Sequence, residues 1–272
     1  MDARSILLAV GINAVLLAVI VALFRLWRVR QPMTAVRLRR EAANQAKPVD
    51  AAPLEGDFCR MQAMLEALDE SLTDTRAVAA LLCGWAADGT ITLSRTEKKR
   101  LKSFGDAMQA TITFPGDEEH PFAPNSNGAE GKLLGLLYGW TDETATLQAS
   151  EIYNQARAYP EAVKGRLDQF SFQGKHSLRA TGAMQPEKKT RRFGFVDERR
   201  SIYTPRGVRE AAALLGYRAW LGQQDSLPPE KWRDAVLLGA SQAVDADVLD
   251  LAQTLAKALT GGAQAGRKVN RV

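Results

Sequence analysis

The longest uninterrupted apolar stretch of this chain lies near its start. Residues 6–24, ILLAVGINAVLLAVIVALF, contain no charged side chain. A helix rises about 1.5 Å per residue, so the stretch is long enough to cross a hydrocarbon core about 30 Å thick. The pattern predicts one transmembrane helix over residues 6–27, preceded by a short periplasmic N-terminus over residues 1–5.

Two other interpretations of this stretch fit less well. A cleaved signal peptide has a basic beginning and a small-residue exit, whereas MDAR is neutral and Phe24 is followed directly by Arg25. A buried core helix is seldom apolar on every face over such a length. We therefore interpret residues 6–27 as an uncleaved single-pass anchor.

The charges on the two sides of the predicted span are unequal. Arg4 and Asp2 cancel before it, whereas basic residues outnumber acidic ones by six in residues 25–47. Basic residues stay on the cytoplasmic side, which predicts a bacterial inner-membrane protein whose larger part faces the cytoplasm. The lipid bilayer is then a partner. The basic residues either contact its headgroups or only fix the orientation of the span. The residues predicted to contact the membrane are Arg25, Trp27, Arg28, Arg30, Arg37, Arg39 and Arg40.

Small residues recur along the predicted span. Ala14, Ala18 and Ala22 are spaced four apart, and Gly11 lies beside them. Small side chains at this spacing let two membrane helices approach closely. The pattern predicts a helix–helix interface, used for self-association or for docking against another membrane subunit.

Helical spacing of apolar residues dominates the rest of the chain and predicts an all-α body with a possible short β-hairpin. We predict helices over 132–141 and 147–170. A further helix is predicted to begin at Ser94, where Ser94 and Glu97 form a capping box. The last helix is predicted to end at Gly261-Gly262. The predicted regions are a mobile basic juxtamembrane stalk over 28–56, a helical domain over 57–180, a basic linker or hairpin over 181–206, a C-terminal helical region over 207–260 and a basic tail over 261–272.

The helical domain contains an internal repeat. The pattern LL-x-G-W, then Asp, then T-x-T-L occurs over residues 81–93 and again over 136–147. It is typical either of a duplicated helical hairpin whose turn holds a cation or, as we favour, of a turn whose tryptophan closes the core. An EF-hand alignment fails, because its positions 1, 3 and 12 would be Gly84, Ala86 and Arg95 rather than oxygen ligands.

The first copy of this repeat resembles the motif of TerB-like helical domains, in which an Asp-Gly turn is followed by Leu-Ser-x-x-Glu at a helix start. The corresponding residues are Asp88, Gly89, Leu93, Ser94 and Glu97. A single span before such a domain is similar to the membrane-anchored DnaJ-like co-chaperones. Their His-Pro-Asp tripeptide does not occur in this sequence. The resemblance therefore implies a helical interaction domain at the membrane, without stimulation of an Hsp70 partner.

Composition adds few candidates for chemistry. The net charge is +5, and the excess lies just behind the predicted span, so the body is close to neutral and gives no general argument for nucleic-acid binding. Two cysteines and two histidines predict neither a disulfide framework nor a metal site. One basic segment is either a solvated arm or a patch for an anionic partner. Its residues are Lys188, Lys189, Arg191, Arg192, Arg199 and Arg200.

No nucleotide-binding, hydrolase or metalloprotease motif occurs in the sequence, which predicts no catalytic residues, no cofactor and no small-molecule substrate. We expect a membrane-tethered cytosolic adaptor or structural subunit of a bacterial envelope machine, such as a secretion or conjugation apparatus, rather than an enzyme. A TerB-type membrane stress regulator is the first alternative. An enzyme with a dispersed active site is the second.

Overall fold

The computed structural model describes residues 17, 19–21, 33–68, 72–96, 109–116, 128–192 and 196–269. Within these ranges the chain is mostly α-helical and carries two small antiparallel sheets. Among the helices described, none is long and apolar enough to cross a bilayer. The predicted span lies outside the described residues, except for residues 17 and 19–21, which are helical.

The elements are numbered in chain order. The helices are α1 (Ala35–Gln45), α2 (Phe58–Leu68), α3 (Asp74–Ala87), α4 (Gly128–Tyr138), α5 (Ala149–Ala158), α6 (Pro160–Ala180), α7 (Pro205–Leu221), α8 (Trp232–Leu238) and α9 (Ala246–Val269). The strands are β1 (Thr92–Thr96), β2 (Gln109–Thr113), β3 (Thr146–Gln148), β4 (Met184–Arg192) and β5 (Val196–Tyr203). The all-α prediction is thus right for the helical majority and incomplete for the strands.

Helix α1 lies inside the segment that the sequence predicts as a mobile stalk. Leu38 and Ala42, four residues apart on one helix face, are fully buried, and α1 packs against α7. Arg39 Nε also donates to the Ala67 carbonyl at 2.9 Å, at the end of α2. Residues 35–45 of the predicted stalk are thus a helix packed on the body rather than a mobile segment, because two apolar residues at helical spacing bury one face of it.

Helices α2 and α6 pack against each other at the centre of the body. The rings of Phe58 and Phe170 meet edge to face, with centroids 5.7 Å apart. A Cβ at Gly174 would overlap the Cys59 carbonyl oxygen, so only glycine allows this approach. The predicted helix over 147–170 is wrong as one element, because Pro160 starts α6 after a break that follows α5.

Helix α9 runs through the Gly261-Gly262 pair, so the predicted helix end there is wrong. It packs against α5 and α3. A Cβ at Gly262 would overlap the Tyr153 carbonyl oxygen of α5, and a Cβ at Gly266 would overlap that of Arg157. These glycines therefore permit close packing of two helices, although a glycine pair in sequence is equally typical of a helix end.

The last two residues of each T-x-T-L motif begin a strand. Strands β1 and β3 lie on either side of β2 and are antiparallel to it, which aligns Leu93, Ile112 and Leu147 in one row. Ser94 pairs with Thr111, so the predicted helix start at Ser94 is wrong. Threonine and isoleucine alternate over residues 90–92 and 111–113. Such β-branched residues favour a pleated strand over a helix. Glu97 lies outside the described residues.

Strands β4 and β5 form the second sheet, a hairpin. This confirms a hairpin within the predicted 181–206 region. The helix before it does not end at residue 170 as predicted, because α6 continues to Ala180. The Tyr203 N–H at the end of β5 donates to the Met33 carbonyl at 2.8 Å. Thr204 then caps α7, where its hydroxyl accepts the Gly207 N–H at 3.2 Å.

Replacement of Gly262 by alanine tests the packing of α9 on α5. We expect Gly262→Ala to lower the free energy of unfolding by about 1–3 kcal/mol, because the new methyl group overpacks a backbone contact. Gly261→Ala is the matched control. Apart from the backbone of its own helix and its chain neighbours, no described atom lies within 4 Å of a Cβ there, and alanine raises helix stability by about 1 kcal/mol over glycine. Chemical denaturation followed by circular dichroism measures the free energy of unfolding of both variants. Equal effects of the two substitutions would contradict the role of Gly262 in packing α9 on α5.

Candidate functional site

An open cleft of about 420 Å³ lies between the start of α2 and the second half of α6. The residues that line it are Asp57, Cys59, Phe172, Gln173, His176 and Ser177. On its rim, the Phe172 side chain is 69% exposed, although Phe170 two residues earlier is buried in the core. A large exposed aromatic side chain beside a concave surface is the typical anchor of a protein–protein contact.

Backbone contacts fix the walls of this cleft. The Asp57 carboxylate accepts the Arg60 N–H at 3.0 Å and caps the first turn of α2. The Gln173 side-chain oxygen accepts the Ala129 N–H at 3.0 Å and so joins α6 to the start of α4. The same oxygen lies 3.7 Å from the Cys59 sulfur and accepts its thiol proton. The cleft is therefore formed by elements that are held in place by hydrogen bonds.

The thiol in the cleft is not activated. Burial, together with the nearby carboxylates of Asp57 and Glu130, raises the pKa of Cys59 to about 12, although the Arg233 guanidinium acts in the opposite direction. A thiol must ionise to act as a nucleophile, and this thiol stays protonated near neutral pH. The arrangement fits recognition by surface contact better than covalent catalysis.

Behind the cleft, Arg233 connects three parts of the fold. Its guanidinium donates to the Gly56 carbonyl at 3.0 Å and to the Asp234 carboxylate at 3.5 Å, and it lies 3.9 Å from the Glu130 carboxylate. Burial raises the pKa of Glu130 and of Asp234, and the guanidinium opposes both shifts. Since each polar contact of Arg233 ends on α4, α8 or the turn before α2, we interpret this cluster as structural.

A second groove of about 520 Å³ lies where α1, α2, α6 and β5 meet. Glu66 accepts a hydrogen bond from the Ser171 hydroxyl at 2.8 Å and pairs with Lys175 at 3.1 Å. Val36 on the rim is 75% exposed. This groove adjoins residue 33, where the chain enters the body from the side of the predicted span.

The two repeated aspartates occupy equivalent turns. Asp88 accepts the Thr90 N–H at 2.9 Å, and Asp142 accepts the Thr144 N–H at 2.9 Å. Asp142 also accepts the Thr146 N–H at 3.2 Å. Hydrogen bonds lower the pKa of Asp142, and the bond from the Thr144 side chain has the largest effect. Both carboxylates are thus engaged with their own turns, and the described part of the chain contains no cluster of three or more metal-ligating side chains.

The structure describes only some of the predicted site residues. Arg37 pairs with Glu41 at 2.7 Å on α1, and Arg40 on the same helix is exposed. The basic patch lies on β4 and β5. The remaining predicted membrane and interface residues lie outside the described ranges: Arg25, Trp27, Arg28, Arg30, Gly11, Ala14, Ala18 and Ala22.

The sequence analysis missed the cleft because its walls are far apart in the chain. Cys59 and Gln173 are separated by 114 residues, and neither belongs to a recognisable motif. One indication was available: Phe170 and Phe172 are two residues apart and cannot share one face of a helix, so one of them must point away from the core.

Alkylation tests the protonation state of the cleft thiol. We expect Cys59 and Cys83, whose pKa burial also raises to about 12, to resist iodoacetamide at pH 8 until denaturant is added. An unfolded thiol has a pKa of about 8.5, so the folded state should also lose stability as pH rises from about 8.5 towards 12. Mass spectrometry measures the labelling. Rapid native labelling of Cys59 would contradict the protonated state of this thiol.

Exchange of backbone amides tests the Asp142 turn. We expect Asp142→Ala to speed hydrogen exchange at Thr144 and Thr146, because both amides lose their carboxylate acceptor. Glu143→Ala is the matched control, since it removes a neighbouring acidic side chain but leaves both hydrogen bonds. Unchanged exchange in Asp142→Ala would show that the turn holds its shape without the carboxylate.

Comparisons with known proteins give no relative for this fold or this cleft. No family model, no curated protein and no solved structure matches the chain. The resemblance to TerB-like domains therefore stays a prediction, and its helix start at Ser94 is replaced by a strand in the structure. Function has to be inferred from the residues themselves.

Proposed function

We propose that this protein is a membrane-tethered cytosolic adaptor or structural subunit of a bacterial envelope machine, such as a secretion or conjugation apparatus. The observation that carries the proposal is the uncharged stretch over residues 6–24 with the arginines that follow it. In the proposed topology, residues 1–5 lie in the periplasm and the helical body lies in the cytoplasm.

The described residues of this stretch support a tether. Leu17, Val19, Ile20 and Val21 are helical, and their side chains are between 47% and 65% exposed. Consecutive exposed apolar side chains are stable in lipid but not in water. Helix α1 begins at residue 35, so this topology holds the body close to the bilayer.

An adaptor also needs a surface for its partner, and the α2–α6 cleft offers one. Its rim presents Phe172, and polar groups of Asp57, Gln173 and His176 surround it. Hydrogen-bonding groups around an aromatic anchor are typical of interface centres. The protonated Cys59 thiol supports contact rather than catalysis at this place.

Crosslinking followed by affinity purification from membranes tests the proposal. We expect the full chain to recover other envelope-apparatus subunits, and Phe172→Ala to reduce that recovery at least about tenfold, because an aromatic hot spot contributes about 2 kcal/mol or more. Tyr159→Ala is the matched control, since Tyr159 is also an exposed aromatic residue, 57% exposed.

Three outcomes separate the candidates. Recovery of the chain alone, as a monomer, would overturn the adaptor function. Recovery of a chaperone and a stress phenotype on deletion would favour the TerB-type regulator. Equal losses of partner recovery in Phe172→Ala and Tyr159→Ala would show that the partner contact lies outside the cleft.

A further inference from the structure

The β4–β5 hairpin is joined to the point where the chain enters the body. At its base, the Tyr203 N–H donates to the Met33 carbonyl at 2.8 Å, and the Thr204 N–H donates to the Ala183 carbonyl at 3.0 Å. Met33 lies directly before α1 and a few residues after the predicted span. The base of the hairpin is therefore close to the bilayer if the span is a tether, as proposed above.

The hairpin is long enough to reach a bilayer surface from this base. Strand β4 has 9 residues, and a strand rises about 3.3 Å per residue, which gives a reach of roughly 30 Å. The segment between residue 24 and Met33 can extend over at most about 30–32 Å, which is a similar length. The headgroup region therefore lies within the length of the hairpin.

Cations dominate the middle of this hairpin, and the strand register sets them against each other. Lys188 lies opposite Arg200, and Lys189 lies opposite Arg199. Like charges directly opposite each other destabilise an antiparallel pair. Nearer the turn, Arg191 lies opposite Asp197, so that position is balanced. At two successive register positions a basic residue therefore lies opposite another basic one. Over residues 184–203 the six basic residues outnumber the three acidic ones, Glu187, Asp197 and Glu198, and this excess favours an external anion.

We propose that the β4–β5 hairpin is a second membrane contact that binds the phosphates of anionic lipid headgroups. The proposal rests on the tether of the proposed function. That tether places a bilayer, rather than nucleic acid, within constant reach, and the surface potential of anionic lipid attracts basic segments within about a Debye length. Bound lipid phosphate offsets the excess positive charge of the hairpin and so slows its opening.

Hydrogen exchange of the full chain in lipid nanodiscs tests this inference. One set of discs contains phosphatidylcholine alone, and the other contains about one third phosphatidylglycerol. We expect exchange of the 184–203 amides to slow about tenfold in the anionic discs, which corresponds to about nine-tenths of the hairpins bound. The slowing should diminish at high salt, because the contact is electrostatic.

Variants identify the residues responsible. Replacement of Lys188, Lys189, Arg199 and Arg200 by glutamine should abolish the difference between the two discs. The matched control replaces four exposed lysines on the helices by glutamine: Lys132, Lys164, Lys257 and Lys268. It should keep the difference. Unchanged exchange of the α2 and α6 amides shows in each variant that the body is folded.

Each remaining outcome contradicts a defined part of the argument. If the chain does not enter the discs at all, the tether and this inference both fail. If it enters them but the hairpin exchanges equally fast in both lipids, this inference alone is wrong. Slowing by added duplex DNA in phosphatidylcholine discs, without slowing by phosphatidylglycerol, would assign the hairpin to nucleic acid instead.

Discussion

Direct contact between helix glycines and neighbouring carbonyl groups is the constraint on which this fold depends. Gly174 of α6 abuts Cys59 of α2, Gly262 and Gly266 of α9 abut α5, and Gly216 of α7 abuts the Lys47 carbonyl after α1. At each of these places a Cβ would overlap an oxygen atom. The spacing between helices is therefore set by backbone atoms, and side chains such as Phe58 and Phe170 fill the remaining volume.

This constraint also determines where the surface features lie. Because Gly174 brings α6 onto the first turn of α2, the residues on either side of it in α6 form a wall of the cleft, and the Phe172 side chain is exposed on the rim. Because Gly216 holds the segment after α1, this helix stays on the body and the chain enters at Met33, next to the end of β5. The candidate partner surface and the hairpin base thus both follow from close backbone packing.

The sequence predicts those elements that local spacing decides. The predicted helical domain over 57–180 contains helices α2 to α6, and the hairpin predicted within 181–206 is formed by β4 and β5. Prediction fails where a local pattern has two uses. Gly261-Gly262 is typical of a helix end and of a close contact, and only α5, about a hundred residues earlier, decides between them. For the same reason the T-x-T-L strands need β2, and the cleft needs Gln173 beside Cys59.

The long separation between α9 and its partners has a consequence for synthesis of the chain. Thr75 of α3 and Thr260 of α9 share a hydrogen bond of 2.8 Å across 185 residues. Contacts of such separation form late, because closure of the intervening chain has to precede them. While α9 is still inside the ribosome, the apolar faces of α3 and α5 that it covers in the folded chain are exposed to solvent. Nascent chains at this stage need protection from aggregation until translation has passed α9.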